Sequence, residues 1–79
     1  MTRSDFVSIE QIVLAAISEA EVSDDINHGY VIYFHHILFI CCTMGLNNHN
    51  IVDGEIKRLE ASGSLVAVYN DEVLIGVKP

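Results

Sequence analysis

Basic side chains are scarce in this sequence. Only four of its 79 residues are Lys or Arg, namely Arg3, Lys57, Arg58 and Lys78, against eleven Asp and Glu, for a formal charge of −7. Phosphate binding grows with the number of cations presented, log K changing by about 0.9 per neutralised phosphate for each tenfold change in salt. Two or three cations make a weak grip, and the overall field repels a polyanion while drawing in a basic surface. Cysteine is sparser still, with two residues. Cys41 and Cys42 are adjacent, so joining them would close a strained ring far from relaxed disulfide geometry, and reduced thiols are expected. No C-x-x-C or H-x-x-x-H occurs, and none of His28, His35, His36, Cys41, Cys42 and His49 stands three or four residues from another. No metal site is predicted on that spacing. A Gly-rich phosphate loop, a nucleophile elbow and a carboxylate pair placed for acid and base roles are all missing, so neither catalytic residues nor a cofactor are predicted. The opening MTRSDFVSIE carries acids and lacks the basic start and apolar run of a signal peptide, which points to the cytoplasm.

Apolar residues, by contrast, make up 51% of the chain while charged ones make up 19%. A single small domain over residues 1–79 hides only about 60–65% of the surface of its unfolded chain. The surplus predicts an exposed apolar face covered by a second copy or another protein. The run from Gly29 to Leu46, GYVIYFHHILFICCTMGL, is uncharged for eighteen residues, the lower edge of a membrane span. Its two central histidines, the polar NNHN after it and the absence of flanking Lys or Arg favour a buried or interface helix instead.

Ser8-Ile9-Glu10-Gln11 reads as a capping box, with Val7 and Ile12 as a hydrophobic staple. Ile9, Ile12, Val13, Ala16 and Ile17 follow the stripe of a helix with one buried face, predicted over residues 8–20. The polar EVSDDINH offers several helix caps and reads as a linker. YVIYFHHILFICCTM is rich in β-branched and aromatic residues, yet it is far longer than a typical strand of about 5–6 residues and ends at Gly45, so a helix over 28–44 is predicted. Asn50 is positioned to cap a third helix to Ser62, stopped by Gly63, with Val52, Ile56 and Leu59 inward. SLVAVY and EVLIGV then form a hairpin over 65–77. Closing it at Asn70-Asp71 sets Val68 opposite Val73 and Val66 opposite Ile75 as the core face, leaving Leu65, Ala67, Tyr69 and Leu74 outside. The fold class expected is α+β, three helices followed by a C-terminal β-hairpin.

From Met44 to Val77 this order resembles the winged helix-turn-helix superfamily. Gly45 stands as the turn glycine, Val52, Ile56 and Leu59 as the apolar steps, and Lys57-Arg58-Leu59-Glu60 followed by Gly63 as the phrase leading into the wing. The resemblance implies a third helix lying in a DNA major groove, the wing against the backbone, and dimers in many members. It assigns candidate nucleic-acid or partner contacts to Asn48, Asn50, Lys57 and Arg58. The chain departs from the pattern in a longer turn from Gly45 to Val52, an apolar second helix and an acidic wing tip at Asn70-Asp71-Glu72.

Those charges turn the expectation away from DNA. Asp53 and Glu55 flank the third-helix face and the wing tip would meet phosphates with like charge. The reading that results is a small acidic, non-enzymatic regulatory module of winged-helix type, binding a protein partner as a homodimer. Its candidate apolar face is Tyr30, Phe34, Phe39, Leu65, Tyr69 and Leu74. The alternatives are a DNA-binding transcriptional regulator and an acidic, phage-type mimic that occupies a nucleic-acid-binding protein.

Overall fold

The computed structural model describes residues 8–79; Arg3, Val7 and the rest of the first segment lie outside the described residues. Helix α1, Ile9–Glu19, begins at the expected box. Ser8 Oγ accepts from Gln11 N at 3.1 Å and Gln11 Oε1 accepts from Ser8 N at 3.0 Å. Its stripe packs inward, with Val13 and Ala16 fully buried and Ile12 and Ile17 against them.

The next segment corrects the expected order of elements. The polar linker contains a strand, β1 (Ser23–Asp25), and the apolar run divides into β2 (Gly29–Tyr33) and a helix α2 of ten residues, Phe34–Thr43. The helices therefore do not all precede the strands: a β1–β2 hairpin stands between the first two. Length misled because strand and helix are fused without a turn residue. Tyr33, at φ −69° and ψ 142°, is the last strand residue and the N-cap of α2 at once. Gly29 at φ +74° reverses the chain, and the β-branched Val31 and Ile32 sit in the strand their propensity favours. Dividing the run leaves no helix, among the described residues, long and apolar enough to cross a membrane.

Helix α3 is His49–Ala61, with Val52, Ile56 and Leu59 buried. Its N-cap is Asn48 rather than Asn50: Asn48 Oδ1 accepts from Ile51 N at 3.1 Å. Both glycine stops form as expected. Gly45 N donates to Cys42 O at 3.0 Å and Leu46 N to Cys41 O at 2.9 Å; Gly63 N donates to Glu60 O at 3.0 Å and Ser64 N to Leu59 O at 2.9 Å. This pair of reversed bonds satisfies the last carbonyls of a helix when the next residue is left-handed, as Gly45 and Gly63 are at φ +93° and +82°.

The C-terminal hairpin is β3 (Ala67–Asn70) with β4 (Val73–Val77), and its register corrects the expected one. The turn is Asp71-Glu72, with Asn70 opposite Val73, Tyr69 opposite Leu74 and, past a bulge, Val68 opposite Gly76. Asp71 and Glu72 lie at φ 52° and 69°, the two positive φ values that a two-residue hairpin turn of type I′ demands. Shifting a strand register by one residue exchanges its faces. Leu74 accordingly enters the core at 5% exposure, whereas Val66 and Val73 stand 61% and 63% exposed.

The two hairpins join through Ile32 opposite Val77 and Tyr33 opposite Gly76, giving one antiparallel sheet in the order β1-β2-β4-β3. Ile32, Leu74 and Val77 from the sheet meet Val13, Ala16, Phe34, Ile37, Cys41, Val52, Ile56 and Leu59 from the helices in a single core. On the other sheet face Val31 and Val68, both buried, lie on either side of Gly76.

Candidate partner-binding surfaces

The outer face of α3 carries Lys57 and Arg58, and both cations are already engaged. Lys57 Nζ pairs with Asp53 Oδ1 at 2.8 Å, one helical turn away. Arg58 donates through Nε and Nη2 to Glu55, at 3.1 and 2.5 Å, and through Nη2 to Glu10 of α1 at 2.8 Å. Hydrogen bonds donated to Glu55 and then to Glu10 push the guanidinium pKa further up, so it stays charged but is held by two carboxylates. Exposed ion pairs of this kind add little stability. Their consequence is for availability, since both cations would have to leave their acids to meet a phosphate. Asn48 is spent on the helix cap, while Asn50 remains exposed. Lys78, the third cation among the described residues, donates through Nζ to His28 O.

The expected apolar face does not form a single patch. Phe34 and Leu74 belong to the core, at 7% and 5% exposure; Phe34 meets the His49 ring edge-on at a centroid distance of 5.1 Å. Leu65 and Tyr69 are half-buried, and Tyr69 Oη donates to Glu60 Oε1 at 2.7 Å. That bond raises the phenol pKa. Tyr30 and Phe39 do stand on the surface, 64% and 70% exposed.

The hydrogen-bonded cluster around Asp25 is not foreshadowed by any motif. Asp25 Oδ1 accepts from Asn27 N at 2.8 Å, from His28 N at 3.1 Å and from His28 Nδ1 at 3.0 Å, and Oδ2 accepts from Tyr33 Oη at 2.7 Å. A carboxylate is an acceptor only, so the His28 proton sits on Nδ1. The Tyr33 hydroxyl, then the backbone of Asn27 and the His28 ring, hold the carboxyl down to about 2. The Tyr33 phenol is raised in return. The Tyr33 hydroxyl is committed to Asp25, and its ring stacks on His35 at 5.5 Å. These bonds fix the β1–β2 tip, where Ile26 is 97% exposed. The cleft beside it, of about 420 Å³, is lined by Asp25, His28, Tyr33, His35 and Leu74 among others. Its carboxylate, Asp25, accepts the four hydrogen bonds that hold the turn.

A second groove, of about 300 Å³, lies where α1 ends against α2 and is lined by Glu19, Ala20, Glu21, His36, Phe39 and Ile40. Its lining joins apolar side chains with two acids. Among the described residues neither Glu19 nor Glu21 has an ion-pair partner, and the last turn of α1 contains no basic residue. Glu19, the last residue of α1, stands at the negative end of the helix dipole, which disfavours an acid. That placement is the sequence signal that could have drawn attention to Glu19. Neither cysteine contributes to these surfaces: Cys41 is a buried free thiol whose pKa burial pushes up, and Cys42 is exposed. Among the described residues no cluster of three His, Cys, Asp or Glu is placed to hold a metal ion.

No family model matches the chain, and no curated protein or solved structure matches it either.

Proposed function

We propose that the protein is a small acidic, non-enzymatic interaction module that binds a protein partner. The observation that supports this most is the distribution of charge. All three cations among the described residues are engaged within the chain, while Phe39 stands 70% exposed beside Glu19 and Glu21. A nucleic-acid surface requires the reverse, cations presented and acids withdrawn. The resemblance to winged helix-turn-helix proteins belongs to the proposal as well, supported by the α2–Gly45–α3 turn and the hairpin that follows Gly63. The homodimer expected from the apolar surplus is carried as one way of covering the exposed surface.

Fluorescence anisotropy with a labelled random-sequence DNA duplex, across a salt series, tests this reading. No binding is expected even at low salt. Binding that weakens with salt at a log–log slope of about −2, as two phosphate contacts would give, and that is lost in Lys57→Ala or Arg58→Ala, would replace it with the DNA-binding alternative.

A further inference from the structure

We infer that the groove between the C-terminal end of α1 and α2 is the docking site, and that its occupant is a basic amphipathic segment of another protein. This rests on the protein-binding reading above and names the partner's chemistry. Three observations converge on it. The groove volume, about 300 Å³, is at the small end of ligand clefts, which run to about 1,000 Å³, and suits one apolar anchor. Its apolar lining of Ala20, Phe39 and Ile40 includes an aromatic ring left largely exposed, Phe39 at 70%. Its lining also carries two carboxylates, Glu19 and Glu21, that have no ion-pair partner among the described residues. Two unpaired acids beside an exposed ring are available to the cations of another chain.

Charge separates the possible occupants. A second copy seated symmetrically on this face brings Glu19 and Glu21 toward their own counterparts, because a two-fold contact apposes the same patch on both subunits. An anionic lipid surface is repelled by the same two carboxylates. A segment with an apolar anchor flanked by Lys or Arg satisfies the apolar and the acidic lining together, in the manner of an amphipathic helix entering a groove. His36 also lines the groove.

The test is an NMR titration of the 15N-labelled full chain with three synthetic amphipathic peptides of identical length and Leu positions, their polar positions filled with Lys, Gln or Glu. The Lys peptide is expected to bind saturably, with shifts centred on Ala20, His36, Phe39 and Ile40; the Glu peptide is expected not to bind. Phe39→Ser should weaken the Lys peptide about thirtyfold or more, as removal of a central anchor does. Phe39 is largely exposed, so a dispersed spectrum of the variant verifies that it still folds. The double variant Glu19→Gln/Glu21→Gln should weaken binding severalfold and flatten its salt dependence. Equal affinity for the Gln peptide would overturn the charge argument. Shifts centred on α3 or on either hairpin would overturn the groove while leaving the protein-binding reading intact. Concentration-dependent shifts at the groove without any peptide would assign it to a second copy instead. Failure of all three peptides together with salt-sensitive duplex binding would overturn both readings.

Discussion

At the tip of the β1–β2 hairpin one carboxylate gathers four hydrogen bonds around an apolar residue, whereas at the tip of β3–β4 two acids turn the chain with no side-chain hydrogen bond among the described residues. The first tip is expensive in polar groups. Asp25, the Asn27 and His28 amides, the His28 ring and Tyr33 all serve it, and Lys78, just past β4, secures His28 O. The second is expensive in backbone conformation, since Asp71 and Glu72 are the two non-glycine residues at positive φ among those described. A tip fixed by side chains holds its shape when another molecule touches it, which lowers the ordering cost of contact. Ile26, bare at 97% exposure, is the residue so held. The second tip has only its turn geometry, and its acids face water.

Both hairpins depend on the seam between them, so the largest effect is expected at Gly76. A Cβ there would lie 2.3 Å from Ile32 O and 2.6 Å from Val31 Cγ1. The first of these is backbone and cannot rotate away. Gly76→Ala is expected to lower unfolding stability by about 3 kcal/mol or more, at the upper end of overpacking costs, measured by urea denaturation. A loss below about 1 kcal/mol would mean that β2 and β4 separate easily, and that the hairpins are less interdependent than the shared sheet implies.

The next effect distinguishes the tips by pH. The Asp25 carboxyl is held at about 2 against an ordinary value of 3.8, chiefly by the Tyr33 hydroxyl. A depressed folded pKa stabilises the fold above the unfolded value and loses that contribution as pH falls through the folded one. Tyr33→Phe removes the donor but keeps the ring. It should lower the melting temperature by several degrees at neutral pH, with the difference from the parent shrinking as pH falls from about 4 toward 2. Thermal melts across that range check it. A pH-independent difference would assign the loss to ring packing against His35 instead.

These two sites also show what the sequence could and could not reveal. The Ser8–Gln11 box and the Gly45 and Gly63 stops were readable because each acts within a few residues of itself, whereas the α3 cap is expected at Asn50 and is formed by Asn48. The α3 stripe of Val52, Ile56 and Leu59 was readable for the same reason. The Gly29–Leu46 run was misread because its division between strand and helix is decided by pairing to β4, more than forty residues away. Leu74 was placed outside by assuming a turn one residue too early. The clue to the true register was acidic rather than glycine-like, and Glu is an unusual occupant of a left-handed position. The groove residues Glu19, Ala20 and Glu21 were passed over because no pattern joins the end of one helix to Phe39 on the next. That neighbourhood exists only after α1 and α2 pack.

The smallest effect is expected at the second tip, and it has the opposite sign. Glu72 at φ 69° occupies a region that costs an ordinary side chain about 1–2 kcal/mol. Glycine enters it freely, although part of the gain is returned as unfolded-chain entropy. Glu72→Gly creates an Asp-Gly pair, a preferred filling for this turn type, and should stabilise the fold by about 0.5–1 kcal/mol. Glu72→Gln separates backbone from charge: it removes the acid but keeps a side chain at the strained position, so it should recover little of the gain. At the first tip the same logic predicts the reverse. Asn27 is not at positive φ, so Asn27→Gly relieves nothing and only loosens the unfolded chain, and it should destabilise slightly. If Asn27→Gly and Glu72→Gly shift the melting temperature in the same direction, the contrast between a tip held by side chains and a tip held by its backbone does not stand.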